Sequence, residues 1–144
     1  MNSESGPLVR IALVILEDER GRIYLQLRSD IESIANPGKW GLFGGHIEAD
    51  ELPAEGALRE VEEELSVRLR PDKLRFIREW EREVGGKRYY LYHYPVIGEL
   101  DQARLTEGQR YDAFWPSQIY LGVLENEPVV PYHLDYLSEF WDAK

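Results

Sequence analysis

Gly45-His46-Ile47-Glu48-Ala49-Asp50-Glu51-Leu52-Pro53-Ala54-Glu55-Gly56-Ala57-Leu58-Arg59-Glu60-Val61-Glu62-Glu63-Glu64-Leu65-Ser66-Val67 is the stretch whose reading decides the fold. Within it, Ala54, Ala57, Leu58, Val61 and Leu65 recur with helical spacing and form one apolar stripe that must face a core. Pro53 suits the first turn of that helix, predicted over Pro53 to Leu65. Glu60 and Glu64 flank one edge of the stripe. Glu63 lies farther round on the same side, next to Arg59, and Glu62 projects from the opposite edge into solvent. Glu60, Glu63 and Glu64 crowd one another and repel unless something positive sits between them. A hard divalent cation bound by oxygens meets that need. The competing reading is a plain solvated helix face, with Arg59 and Glu63 as a weak i,i+4 pair. Against it stands the preceding segment, Gly38-Lys39-Trp40-Gly41-Leu42-Phe43-Gly44-Gly45. Its four glycines in eight residues mark a backbone that turns sharply or approaches something closely.

The order Gly45, Glu51, Arg59, Glu60, aliphatic Val61, Glu63, Glu64 and aliphatic Val67 resembles the Nudix box of the Nudix hydrolases, a signature here spanning positions 45 to 67. One position departs: Ser66 stands where the family has glycine. A left-handed residue is common just past a helix end, so this substitution costs up to about 1 kcal/mol in the loop and leaves the acids untouched. The resemblance implies a loop-helix-loop element that binds Mg2+ or Mn2+ and hydrolyses the pyrophosphate linkage of a nucleoside diphosphate derivative. Glu60 and Glu64 match the positions that usually hold metal, Glu63 matches a ligand in many members, and the carbonyl of Gly45 matches a backbone ligand. Arg59 is expected to hold an acid through a forked hydrogen bond. Glu51 is expected to support the site, paired with Arg59 or closing the loop.

The general base varies in position across the family and often lies downstream of the box. Glu107, in Leu105-Thr106-Glu107-Gly108-Gln109, is the best candidate, on a flexible loop able to close over the cleft; Glu63 is the rival, and a solvated loop carboxylate is the alternative reading of Glu107. Arg28 ends a strand leading to the cleft and is a candidate phosphate contact, or else a surface arginine. Trp40 and Phe43 are candidates for stacking on a base, although core packing explains Phe43 better. Of the aromatic set Tyr89, Tyr90, Tyr92 and Tyr94, the last three share one strand face; core or sheet packing is the main reading, with a pocket wall the alternative. His46, His93 and His133 show no metal-ligand spacing and read as ordinary histidines, with His46 merely near the site.

The remaining elements are legible in outline. Val9 to Leu16 and Ile23 to Leu27 read as a hairpin across the turn residues Asp18 to Gly21. Leu74 to Val84 and Lys87 to Ile97, separated by Gly85-Gly86, read as a second hairpin. A strand is expected at Arg110 to Trp115, and helices at Pro116 to Leu124 and Tyr132 to Trp141, the latter burying Leu134, Leu137 and Trp141. The fold expected is an α/β/α sandwich with a mixed sheet, one domain over residues 1–144 with 1–7 a disordered tail.

Charge and composition narrow the function. A net charge of −10 argues against general affinity for nucleic acid or an anionic membrane. It also repels a polyphosphate, so bound cations and local basic groups must offset it. No signal peptide and no bilayer-spanning apolar run is visible, which makes the cytoplasm the default. The chain has no cysteine, which disfavours a prenyl diphosphate isomerase of the same fold, since that activity normally needs one. A non-catalytic nucleotide sensor is a further class, but such modules often lose the box acids. The resemblance also allows a homodimer. ADP-ribose hydrolases of the family often carry a proline downstream of the box, and diadenosine polyphosphate hydrolases a tyrosine; the stretch Arg82-Glu83-Val84-Gly85 has neither. Pro37 to Gly41 and the short chain look similar to nucleoside triphosphate pyrophosphohydrolases that release a monophosphate and pyrophosphate, with oxidised nucleotides such as 8-oxo-dGTP the familiar substrates. Nucleotide sugars, ADP-ribose and dinucleoside polyphosphates are the alternatives.

Overall fold

The computed structural model describes residues 8–82 and 86–142. The expected tail and the positions Glu83, Val84 and Gly85, with the strand end, turn and subfamily stretch expected there, lie outside the described residues. Strand β1 (Val9–Glu17) runs through the centre of a seven-stranded sheet, parallel to β6 (Lys87–Pro95) on one side. Its other neighbours are antiparallel, so the sheet is mixed. Alternate residues of β1 enter different cores, as the two-residue strand period requires. Leu13 and Ile15 join one cluster, and Ala12, Val14 and Leu16 the other.

The first expected hairpin holds only at its turn. Ile23 of β2 (Ile23–Leu27) pairs with Glu17, and beyond that point β2 leaves β1. It pairs instead with β3 (Trp40–Gly41) and later with β7 (Arg110–Phe114), while β4 (Phe43–His46) takes its place beside β1, from Val14 opposite Phe43 to Ile11 opposite His46. This exchange of partners opens the sheet next to the glycine-rich segment. Gly44 makes the close approach possible, with φ +137° and a position where a Cβ would lie 2.0 Å from the Ala12 carbonyl oxygen.

Helix α1 (Pro53–Leu65) covers one sheet face. Ala57, Val61 and Leu65 are buried, and Ala54 and Leu58 pack partly against the same cluster, as the spacing predicted. Each larger side chain of that stripe stabilises the docked helix by about 1.5–3 kcal/mol. Glu55 accepts a hydrogen bond from Leu52 N–H at 2.8 Å at the helix start. Ser66 ends the helix in the left-handed conformation, φ 53° and ψ 44°. Glu62 is not simply solvated as expected: its carboxylate accepts the Leu69 N–H at 2.8 Å and secures the chain leaving the helix.

A 3-10 turn at Pro71–Lys73 leads into β5 (Arg75–Arg82), which pairs antiparallel with β6 and forms the outer edge of the sheet. The helix expected over Pro116 to Leu124 is only one turn long. After α2 (Pro116–Ile119) the chain turns at Gly122, φ +81°, and makes a small hairpin of β8 (Val123–Leu124) and β9 (Glu127–Pro128). Glu125 and Asn126 both have positive φ, as a tight two-residue turn of this kind requires. Helix α3 (Pro131–Asp142) covers the second sheet face and completes the sandwich. Its buried face is turned relative to expectation: Leu137 is fully buried, but His133, Tyr136 and Phe140 accompany it while Leu134 and Trp141 are only partly covered. No helix among the described residues is long and apolar enough to cross a membrane.

Candidate active site

A cleft of about 530 Å3 opens where β1 exchanges β2 for β4, within the range of small-molecule sites. Its acidic side is formed by Glu60, Glu64 and Glu107, beside the backbone of Gly44 and Gly45. Its other walls carry Ile11, Leu13, Ile31, Ile34, Leu42, Tyr89, Tyr132 and His133, with Arg28 and Lys87 as basic members.

Glu64 reaches through the opening in the sheet and is 5% exposed. Its carboxylate accepts hydrogen bonds from Gly44 N–H at 3.0 Å and the Gln26 side-chain amide at 3.4 Å. Both donors are neutral, and burial pushes the Glu64 carboxyl up to about 8, with the charges of Glu60 and Glu107 acting in the same direction. Glu60, whose side chain is 20% exposed, is also raised, chiefly by desolvation and against the opposing pull of Arg59. A Cβ on Gly45 would lie 2.4 Å from Glu60 Oε1, so the bare glycine backbone is what lets this carboxylate lie on the loop.

Arg59 ties the loop to the helix, as its forked geometry allows. It makes two bonds to Glu51, at 2.6 and 2.9 Å, and reaches Glu60 at 3.0 Å, Glu63 at 3.3 Å and the His46 carbonyl at 2.9 Å. Hydrogen bonding to Arg59 holds the Glu51 carboxyl down at about 2. Glu51 also accepts the Glu48 N–H at 2.8 Å, so it both pairs with Arg59 and closes the loop. Arg10, which the sequence reading did not single out, donates to the carbonyls of Glu48 and Glu51 from β1.

Three expectations need correction. Glu63 does not face the cleft; its side chain is 60% exposed and paired with Arg59. At about 100° per residue, Glu64 lies about 40° from Glu60 around the helix, whereas Glu63 falls about 60° away on the other side, towards solvent. Trp40 does not reach a substrate: it is fully buried, donates from Nε1 to the Leu124 carbonyl at 3.0 Å and packs edge-on against Phe114. Phe43 is fully buried too, as core packing anticipated. The loop of Glu107 is not a free lid. Thr106 bonds the carbonyls of Glu63 and Glu64 through Oγ1 at 2.6 Å and N–H at 2.8 Å, and Gln109 bonds the carbonyls of Leu27 and Arg28. The last carbonyls of α1, which have no partner within the helix, are thereby satisfied by the segment that presents Glu107.

Arg28 lines the cleft, its Nε donating to the Ala35 carbonyl at 2.7 Å. The sequence reading missed Gln26 and His133. Gln26 sits in the alternating strand Ile23-Tyr24-Leu25-Gln26-Leu27 and looks solvated, yet α1 covers its face and leaves it 3% exposed. His133 accepts the Leu42 N–H on Nδ1 at 3.1 Å. A shifted helix register, with apolar positions at i, i+3, i+4 and i+7 from 133, was the one signal available.

A metal fits this chemistry. The donors are oxygens, Glu64 is a buried carboxylate facing neutral donors, and Glu60 and Glu64 repel each other across the glycine backbone. Among the described residues no group of three or more His, Asp or Glu side chains is arranged to hold an ion by itself. Glu60 and Glu64 would therefore need the Gly45 carbonyl and oxygens from a substrate or water to complete a shell.

Comparison with known proteins agrees with the geometry. A family model described as NUDIX domain matches residues 7–130. No curated protein matches the sequence. Among solved structures, a MutT protein from Methanosarcina mazei Go1 is 25% identical over 96% of both chains, with a TM-score of 0.74. A mutT/nudix family protein from Listeria innocua is 22% identical over 96% of this chain and 95% of its own, TM-score 0.75. A bifunctional NMN adenylyltransferase/ADP ribose pyrophosphatase from Francisella tularensis, complexed with AMP and an Mn ion, is 13% identical over 98% of this chain and 43% of its own, TM-score 0.74. The chain belongs to the Nudix family, as a pyrophosphohydrolase of phosphorus-containing anhydrides. Enzymes of this class use a divalent metal and act on small nucleotide-derived substrates.

Proposed function

We propose that the protein hydrolyses a nucleoside triphosphate, oxidised forms such as 8-oxo-dGTP included, to a monophosphate and pyrophosphate with Mg2+ or Mn2+. The observation that carries this reading is the pairing of Glu60 and Glu64 on the glycine loop, at one side of a cleft whose other walls are apolar and aromatic. Glu60, Glu64 and the Gly45 carbonyl would hold the ion, which neutralises phosphate oxygens and makes a bound water more acidic. Arg59 orients Glu60 and keeps the loop closed through Glu51. Arg28 and Lys87 offset, locally, the acidic field that would repel a polyphosphate. Glu107 accepts the proton of the attacking water as its oxygen bonds to phosphorus, the bridging P–O bond breaks and pyrophosphate leaves.

Release of phosphate or pyrophosphate should be measured with Mg2+ or Mn2+ across nucleoside triphosphates, 8-oxo-dGTP, nucleotide sugars, ADP-ribose and dinucleoside polyphosphates. Metal-dependent turnover on triphosphates supports the reading; turnover confined to another member of the panel replaces it. Glu107→Gln is expected to lower kcat by about 100-fold or more with little change in KM. A loss of only a few-fold would remove the base role from Glu107.

A further inference from the structure

His133 has a consequence for the substrate that the acidic side of the cleft does not settle. The Leu42 N–H donates to its Nδ1, so the neutral ring carries its proton on Nε2. Burial pushes the imidazole down to about 3, with the charges of Arg28 and Arg82 acting the same way, and the neutral form persists at physiological pH. The ring is 5% exposed and belongs to the cleft wall. Among the described residues, Tyr136 Oη is the one buried side-chain polar atom without a hydrogen-bond partner. Among the described residues nothing bonds the Nε2–H of His133, and the ring is part of the cleft wall, so this N–H is the group that the ring offers to the cleft. An N–H donor held at such a place, with its tautomer set by backbone, is a reading head rather than a packing group.

Its position relative to the acids is set by one stretch of chain. Leu42 N–H holds His133 and Gly44 N–H holds Glu64, and two residues of extended backbone span about 7 Å. Next to His133 stand Tyr132 and Asn36, joined by a hydrogen bond from the Asn36 amide to the Tyr132 hydroxyl, with Ile31 and Ile34 nearby in the wall. The Tyr132 ring with Ile31 and Ile34 offers apolar surface to a base, while the acids suit the phosphates.

We infer that His133 is a specificity-determining residue, which donates from Nε2 to a carbonyl oxygen of the substrate base and so favours keto bases over amino bases. The inference rests on the nucleotide reading proposed above. Guanine and uracil or thymine present a carbonyl where adenine and cytosine present an amino group. A donor that cannot become an acceptor meets the first with a hydrogen bond and the second with an opposed donor. A site built to bond one group rejects the analogue lacking it, since the buried polar atom is then left unpaired.

The test separates the two nitrogens of the ring. Asn at 133 keeps an acceptor near the Nδ1 position for Leu42 but has no donor at Nε2, whereas Gln keeps an amide donor near Nε2. kcat/KM is measured for GTP, UTP, ATP and CTP with the wild type, His133→Asn and His133→Gln, and GMP and AMP binding is followed by the Nε2–H resonance of 15N-labelled histidine. The expected result is a keto preference of about tenfold or more in the wild type, expressed mainly in KM. It collapses in His133→Asn and is partly restored in His133→Gln, and the Nε2–H resonance shifts with GMP and not with AMP. Comparable kcat/KM on all four triphosphates, or a preference that survives in His133→Asn, would overturn the role of His133 and leave the nucleotide reading standing. Turnover confined to diphosphates that carry no base would overturn both.

Discussion

Replacing Glu64 by Gln is expected to lower metal-dependent turnover by about 1,000-fold or more while the protein still folds. The amide keeps an oxygen for the Gly44 N–H and nearly the same volume, so packing around the helix survives. What it loses is the carboxyl that can ionise against a bound cation. The stability of the metal-free protein supplies an independent readout. Glu64 has its carboxyl raised from 4.5 in the unfolded chain to about 8 in the folded one. A raised acid is accommodated as the neutral form, so its contribution is intact below about pH 4.5 and is lost as pH rises through 8, at a cost of a few kcal/mol. Glutamine has no such titration. In chelator, the melting temperature of Glu64→Gln should therefore gain on that of the wild type as pH rises from about 4.5 to 8, with no further gain above 8, and added Mg2+ or Mn2+ should raise the wild type far more than the variant. Near wild-type turnover in Glu64→Gln would sink the metal-site assignment.

Gly44→Ala is expected to cost about 3 kcal/mol or more of stability, a fall of roughly 10 °C in the melting temperature of a chain this size. Two independent effects add. The backbone at φ +137° is one that side chains rarely adopt, and the new methyl would meet the Ala12 carbonyl oxygen at 2.0 Å and Leu13 Cα at 2.9 Å. Those atoms belong to the backbone of the central strand and cannot move aside without breaking the pairing of β1 with β4. Gly45→Ala, one residue on, is the informative contrast. There the methyl meets the Glu60 carboxylate, at 2.4 Å from Oε1, and a side chain can swing away. Gly45→Ala should thus spare much of the stability and lose activity, because the carboxylate it displaces is a proposed metal ligand. Thermal melts alongside turnover distinguish the two; equal melting temperatures for Gly44→Ala and the wild type would contradict the strand geometry.

The sequence by itself determined the elements that obey a local period or a local backbone rule. Helix α1 keeps its predicted bounds because its apolar stripe and Pro53 act within the helix, and Ser66 takes the left-handed conformation that any residue at that stop must take. Arg59 and Glu51 meet because both are tied to the same loop and helix. The short helix α2 was overextended from sequence because Pro116 announces a start, whereas the stop depends on Gly122 and on a turn at Glu125 and Asn126, a weaker local signal.

Only the tertiary structure decided what depends on partners distant in the chain. The divergence of β2 from β1 goes with β4 taking the edge of β1 and β3 the facing edge of β2, and no feature of the hairpin itself reveals it. Trp40 looked available beside its glycines, but the β8–β9 hairpin supplies the carbonyl that holds it in the core. Glu63 and Glu64 are neighbours of like charge, and their fates part because the opening between β2 and β4 receives one helix edge and not the other. Gln26 and His133 were legible only as a polar residue in a strand and a histidine on a helix. They become part of the cleft because α1 and α3 close on opposite faces of the sheet, and burial then leaves each polar atom to find a partner in the protein or to keep one for a ligand.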